Sequence, residues 1–193
     1  MKGARTIAGI DGPVDTAHRV RFARWLSGIV SAGIVLSIPL AHADEVKGKV
    51  LRVADGDTIL VLARDGRRQS IRIAGIDAPE AAQPFGRESR DYLARLVSTG
   101  EVRAECPKSD RRGSVVCTVW ARPTDCATCG QTIDVGLAQI AGGMAWWYRR
   151  YGLEQSPEDR ARYETEEQTA RAAKRGLWVD KAPVPPWDWR RRR

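Results

Sequence analysis

Residues 71–80 read Ile-Arg-Ile-Ala-Gly-Ile-Asp-Ala-Pro-Glu. The alternation puts Ile71 and Ile73 on one side of an extended strand and Arg72 on the other, the period-two signature of a strand with one buried face. The strand, read as 69–76, runs into a loop that carries Asp77, Pro79 and Glu80. One step back, Arg64-Asp65-Gly66-Arg67 is a hairpin signal, and Thr58 to Ala63 before it is β-branched and leucine-rich. Asp55-Gly56-Asp57 forms the preceding turn, and Val46 to Val53 carries apolar residues at 46, 50, 51 and 53. Three strands joined by short turns make a meander.

Forward of Glu80, residues Pro84 to Val97 read as an amphipathic helix with Tyr92, Leu93, Leu96 and Val97 as its apolar stripe. Strands return at Glu101–Cys106 and Ser114–Ala121 around the polar turn Lys108–Gly113, and a short helix follows at Thr132–Ala141. The last helix has Ser156 as N-cap, Pro157 at its first position, and Glu158 and Asp159 facing the positive end of its dipole. Its expected stop is Gly176, with Leu177 and Trp178 folding back on it. Pro183 to Arg193, rich in proline and tryptophan and ending in four arginines, reads as extended. Three strands, a helix, two strands and further helices match a mainly β, α+β architecture: the five-stranded OB-fold barrel with three helices. That barrel often binds oligonucleotides.

The first 43 residues read as an address. Arg19, Arg21 and Arg24 precede the apolar run Trp25 to Leu40, and Ala41-His42-Ala43 gives a small-x-small cleavage pattern. The run falls short of the about 20 apolar residues of a spanning helix. The expected organisation is a signal peptide at 1–43 cleaved after Ala43, a barrel domain at 44–180, and a tail at 181–193. This places the protein outside the cytoplasm, secreted or periplasmic, with no stable membrane anchor after processing and as a monomer. The chain carries a formal charge of +8, and 26 of its 32 basic residues are arginine. Loss of the leader leaves +5, a balance that suits a polyanionic partner such as nucleic acid. Both histidines, His18 and His42, lie in the leader, which excludes histidine catalysis in the mature chain.

The chemistry concentrates in Asp55-Gly56-Asp57-Thr58 and in Arg72, Asp77, Pro79 and Glu80. Each segment alone could be a simple turn, because Asp-Gly and Asp-x-Pro are turn formers. Together, a tight meander brings three acidic groups and an arginine to one place. Hard oxygen donors of this kind suit calcium, which takes carboxylates, carbonyls and water in irregular geometry. Without a cation or arginine to balance them, such carboxylates repel one another.

The Asp-Gly-Asp-Thr of 55–58 with Ile-Arg-Ile-Ala-Gly-Ile-Asp-Ala-Pro-Glu of 71–80 resembles the staphylococcal nuclease family. The likeness extends through the helix at 84–97, Asp-Arg-Arg-Gly at 110–113, Gly-Met-Ala-Trp-Trp-Tyr at 143–148 and Ala-Ala-Lys-Arg-Gly-Leu-Trp at 172–178. It implies calcium bound by Asp57, Asp77 and the carbonyl of Ala78. It implies Arg72 on the phosphate and Glu80 beside the attacking water. The implied reaction cleaves DNA and RNA at the 5′-oxygen bond and leaves 3′-phosphate ends. One departure stands out. The family turn reads D-x-Y-G-R, and serine occupies position 114 where its second arginine would be. Arg112, two positions earlier on the same strand face, is the candidate to replace it. The alternative is a nucleic-acid-binding OB module whose catalysis is weak or lost through Ser114.

Among the four cysteines, Cys106 and Cys117 lie on consecutive strands, and Cys126-Ala-Thr-Cys129 sits in a loop before the short helix. In an oxidising compartment two disulfides, 106–117 and 126–129, are expected, with a zinc site as the competing reading. Aromatic and basic residues interleave in Trp146-Trp147-Tyr148-Arg149-Arg150-Tyr151. Tyr148, Arg149 and Tyr151, with Arg111, are the candidates for substrate contact.

Overall fold

The computed structural model describes residues 44–109 and 114–192. The expected leader and the turn residues Arg111 and Arg112 lie outside them. The elements run β1 (Asp44–Val53), β2 (Thr58–Ala63), β3 (Arg68–Ile73), β4 (Ile76–Asp77), α1 (Gly86–Leu96), β5 (Glu101–Ser109) and β6 (Val115–Ala121). They continue with β7 (Ile133–Asp134), α2 (Val135–Ala141), β8 (Trp146–Trp147), α3 (Pro157–Ala172) and α4 (Pro186–Arg191), with single 3-10 segments at Arg149–Glu154 and Gly176–Val179.

The meander β1-β2-β3 is antiparallel, β1 also pairs with β5, and β5 pairs with β6. A parallel pairing of β6 with β3, which sets Ile71 opposite Val115 and Arg72 opposite Val116, closes five strands into a barrel. Closure removes the exposed sheet edges. Inside lie Ile59, Val61, Ile71, Ile73, Val102, Ala104 and Val119, all buried. Each such aliphatic side chain contributes about 1.5–3 kcal/mol relative to exposure.

Several boundaries differ from the sequence reading, each for a visible reason. The third strand breaks after Ile73, because Gly75 turns at φ 75° and lets Ile76–Asp77 pair separately with Trp146–Trp147. Helix α1 starts at Gly86 rather than Pro84, after Phe85 adopts a left-handed φ of 68°. Helix α2 starts at Val135, where the Asp134 carboxylate accepts a 3.0 Å bond from the Leu137 N–H. Just before it, Ile133 and Asp134 extend the sheet against β6. Helix α3 ends at Ala172 rather than Gly176; the chain reverses through Lys174 (φ 50°) and Gly176 (φ 51°) so that Leu177 and Trp178 are buried.

The tail departs most. Residues 186–191 form helix α4 instead of an extended segment, with Pro186 in the first turn. Trp187 packs on a second small core of Trp146, Ala170, Leu177 and Trp178. Both expected disulfides are present, Cys106–Cys117 across β5 and β6 and Cys126–Cys129 in the loop before β7. Among the described residues no helix is long and apolar enough to cross a membrane.

Candidate active site

The turn between β1 and β2 is held by its own side chains. The Asp57 N–H donates to Asp55 Oδ1 at 3.0 Å, and the Thr58 hydroxyl donates to Asp57 Oδ1 at 2.8 Å. Gly56 is required by close packing: a Cβ there would stand 1.9 Å from Ser89 Oγ. The turn therefore rests directly on α1, and Asp57 is left 5% exposed. Across the hairpin, Ile73 N–H donates to the Asp57 carbonyl at 2.8 Å. That bond brings the far end of β3 alongside.

Asp57 and Asp77 meet through backbone as well as charge. The Ala78 N–H donates to Asp57 Oδ2 at 3.1 Å, so the loop after β4 is tied to the turn before β2. Arg72 Nη2 lies 2.9 Å from Asp77 Oδ1 and 3.4 Å from Asp57 Oδ2. Thus Asp57, Arg72 and Asp77 form one group, with Glu80 on the next turn. Burial pushes Asp55 up to about 6, with the neighbouring Asp57 charge adding to the rise. Burial likewise raises Asp77, against the lowering effect of its guanidinium partners. The Asp57 charge, and then that of Asp77, hold Arg72 above its ordinary value. Such shifts mark a site where negative charge is crowded out of water.

A second guanidinium, which the sequence reading did not foresee, enters this group. Arg190 of α4 places Nη2 at 2.7 Å from Asp77 Oδ2 and Nη1 at 3.2 Å from Asp77 Oδ1, a two-pronged grip on one carboxylate. The same Nη1 is 2.6 Å from Glu80 Oε1. Its hydrogen bond to Asp77 is the main cause of its raised pKa. The usable sequence signal was the Trp187–Arg190 spacing behind Pro185-Pro186, which places an aromatic anchor and a cation on one helical face.

The remaining candidates separate. Ser114 Oγ donates to Ser70 Oγ at 3.1 Å, two residues before Arg72 on β3. Tyr148 packs on Trp187 with ring centres 5.3 Å apart and meets Tyr151 edge-on at 5.2 Å, beside the helix that carries Arg190. Arg149 turns elsewhere: Nη1 is 2.8 Å from the buried Glu167, and its guanidinium lies 4.4 Å from the Trp147 ring. Glu167 also accepts the Trp147 N–H at 3.0 Å. Arg149 thus clamps β8 to α3, and the geometry gives it no place beside the carboxylates.

A family model described as "Staphylococcal nuclease homologue" matches residues 70–180. The chain belongs to the staphylococcal nuclease family. Similar members include a protein named "Micrococcal nuclease" from Shigella flexneri, 38% identical over 84% of this chain and 90% of its own length. "Protein ParB" from Escherichia coli is 40% identical over 76% of this chain and 80% of its own. An "Uncharacterized endonuclease" from Escherichia coli is 36% identical over 82% and 94%.

The donor set suits a hard cation. Asp57 and Asp77 offer carboxylate oxygens and Ala78 a backbone carbonyl, with no histidine or cysteine beside them among the described residues. Among the described residues, no group of three or more histidine, cysteine, aspartate or glutamate side chains is placed to hold a metal ion. A hard cation held by two carboxylates would need backbone, water or phosphate oxygens to complete its coordination.

Proposed function

We propose that this protein is a calcium-dependent phosphodiesterase that hydrolyses DNA or RNA and leaves 3′-phosphate ends. As a member of its family it is a nuclease, an enzyme of phosphodiester hydrolysis whose relatives imply metal dependence. The observation that carries the finer reading is the convergence of Asp57, Arg72 and Asp77, tied by the Ala78 N–H to Asp57 Oδ2. A module that only bound nucleic acid would gain nothing from buried carboxylates facing phosphate, because they repel it.

Asp57, Asp77 and the Ala78 carbonyl would hold the metal. A bound calcium supplies Lewis-acid polarisation of a phosphoryl oxygen and helps orient water for in-line attack. Arg72, braced by two carboxylates, meets the charge that accumulates on the equatorial oxygens. Glu80, partly exposed and paired with Arg190, would orient the attacking water and receive its proton. Tyr148 and Tyr151 offer aromatic faces for a base next to the cleaved phosphate. Arg111 and Arg112 would add positive charge from the β5–β6 turn. Export with cleavage after Ala43 fits the two disulfides, which persist in oxidising compartments. The test is cleavage of DNA and of RNA by the purified mature protein, first with calcium and then with chelator. Cleavage should need calcium and stop in chelator; equal rates in both overturn the metal assignment.

A further inference from the structure

The C-terminal helix ends in the active site, and its attachment is built rather than incidental. Trp187 packs edge-on to Trp146 at 5.7 Å and against Tyr148 at 5.3 Å, while Pro186 is buried. One turn earlier in the tail, Gln83 Nε2 donates to the Val184 carbonyl at 2.6 Å. The same Gln83 accepts the Glu80 N–H at 3.2 Å through Oε1. A single glutamine therefore ties the segment leading into the helix of Arg190 to the backbone of the glutamate that Arg190 contacts.

We propose that Arg190 is the second phosphate-binding guanidinium of this nuclease, supplied by α4 instead of the β5–β6 turn. Arg190 is 37% exposed, so it faces both the carboxylates and the solvent from which substrate arrives. A guanidinium has five N–H donors. Three are engaged with Asp77 and Glu80, which leaves two for a phosphate oxygen. Arg72 and Arg190 share Asp77 Oδ1, at 2.9 and 3.2 Å, so both cations border the space in front of one carboxylate. Position 114 cannot perform this task, since its hydroxyl is neutral and bonded to Ser70. The competing idea is that Arg190 is a plug that occupies the cation's place until displaced. Calcium held by Asp77 would displace part of the grip of Arg190 on that carboxylate in either case. The two readings differ in whether the guanidinium then leaves the site, as a plug does, or stays beside it as a donor. The packing of Trp187 on Trp146 and Tyr148, the buried Pro186 and the Gln83 clamp describe a donor held beside the site, and pre-positioning is what makes a cation effective in a transition state.

The inference rests on the calcium-nuclease reading, and one set of measurements separates the two. Steady-state cleavage of one oligonucleotide is measured for the wild type, Arg190→Gln and Arg190→Lys. Calcium binding to each substrate-free protein is measured by calorimetry, and folding by thermal melting. Arg190→Gln should lower kcat about a hundredfold with KM changed only a few-fold. It should bind calcium at least as tightly as wild type, because Asp77 and Glu80 lose a competing cation. Arg190→Lys should recover part of the rate, and Ser114→Arg added to Arg190→Gln should recover more. Tighter calcium binding with an unchanged or raised kcat would identify a plug and overturn the proposal. Loss of calcium binding together with activity would make Arg190 a scaffold for the carboxylates, which also overturns it. A wild type that shows no calcium-stimulated cleavage instead refutes the parent reading, and this inference with it.

Discussion

Arg72 on β3 and Asp57 in the turn just before β2 are fifteen residues apart, and the β2–β3 hairpin is enough to bring them together. Arg190 reaches the same carboxylates from 113 residues beyond Asp77, carried by a six-residue helix that holds its place through aromatic packing. The barrel half of the site is held by backbone ladders and a closed sheet. The tail half is held by Trp187, Pro186 and one glutamine. The first is as stable as the fold, whereas the second can be loosened while the barrel stays intact. On the proposed reading, the barrel would hold the metal ligands and the tail would supply a phosphate contact.

The largest effect should come from breaking the barrel half. Asp57→Ala or Asp77→Ala should reduce cleavage to the level seen in chelator and remove calcium binding by calorimetry, with the β-rich circular dichroism retained. Residual calcium-dependent turnover in both variants would show that the cation is held elsewhere. Next in size, Arg190→Gln should cost far more in kcat than Arg112→Ala, about a hundredfold against a few-fold. The reverse ranking would return the second guanidinium to the turn.

The two disulfides extend the comparison to stability. Cys106–Cys117 joins barrel strands eleven residues apart, so replacing both with serine should cost about 3 kcal/mol by the loop-closure estimate. Cys126–Cys129 closes only a three-residue separation in a loop and should cost clearly less. Paired thermal melts of the two double-serine variants check the order.

The smallest effect concerns Asp134, which accepts bonds from Leu137 N–H and from the Tyr163 hydroxyl at 3.0 Å. Burial raises its pKa above the usual carboxylate value. The folded protein therefore binds this proton more tightly than the unfolded chain does. The side chain supports the fold at acid pH and loses that advantage as pH rises through its folded value. Asp134→Asn keeps a cap oxygen without the charge. It should match wild type near pH 3 and melt slightly higher at pH 7. A lower melting temperature at pH 7 would show that the ionised cap outweighs its burial.

How much of this was legible in the sequence follows from range. The strands, the Asp55–Thr58 turn, the capped start of α3 and the Asp57, Arg72, Asp77 and Glu80 group all rest on alternation, caps and turns spanning a few residues. Such signals survive without knowledge of the fold. Element ends were less legible: α3 stops at Ala172 because Leu177 and Trp178 are drawn into a core made with Trp146, a partner no local pattern names. The Trp-Trp-Tyr-Arg-Arg-Tyr run looked like one binding surface, yet Arg149 is taken by Glu167 on α3 while Tyr148 turns toward Trp187.

By itself the sequence determined the strand meander, its carboxylate-rich turn and the family resemblance carried by that pair of motifs, because period-two burial and turn chemistry are local. The closure of five strands into a barrel rests on the long-range pairing of β3 with β6. Only the tertiary structure decided that the arginine-rich end is a helix and that Arg190 grips Asp77 and Glu80. The physical reason is that a six-residue helix is unstable alone. It exists here because Trp187 finds Trp146 and Tyr148, residues brought to it by the pairing of β4 with β8.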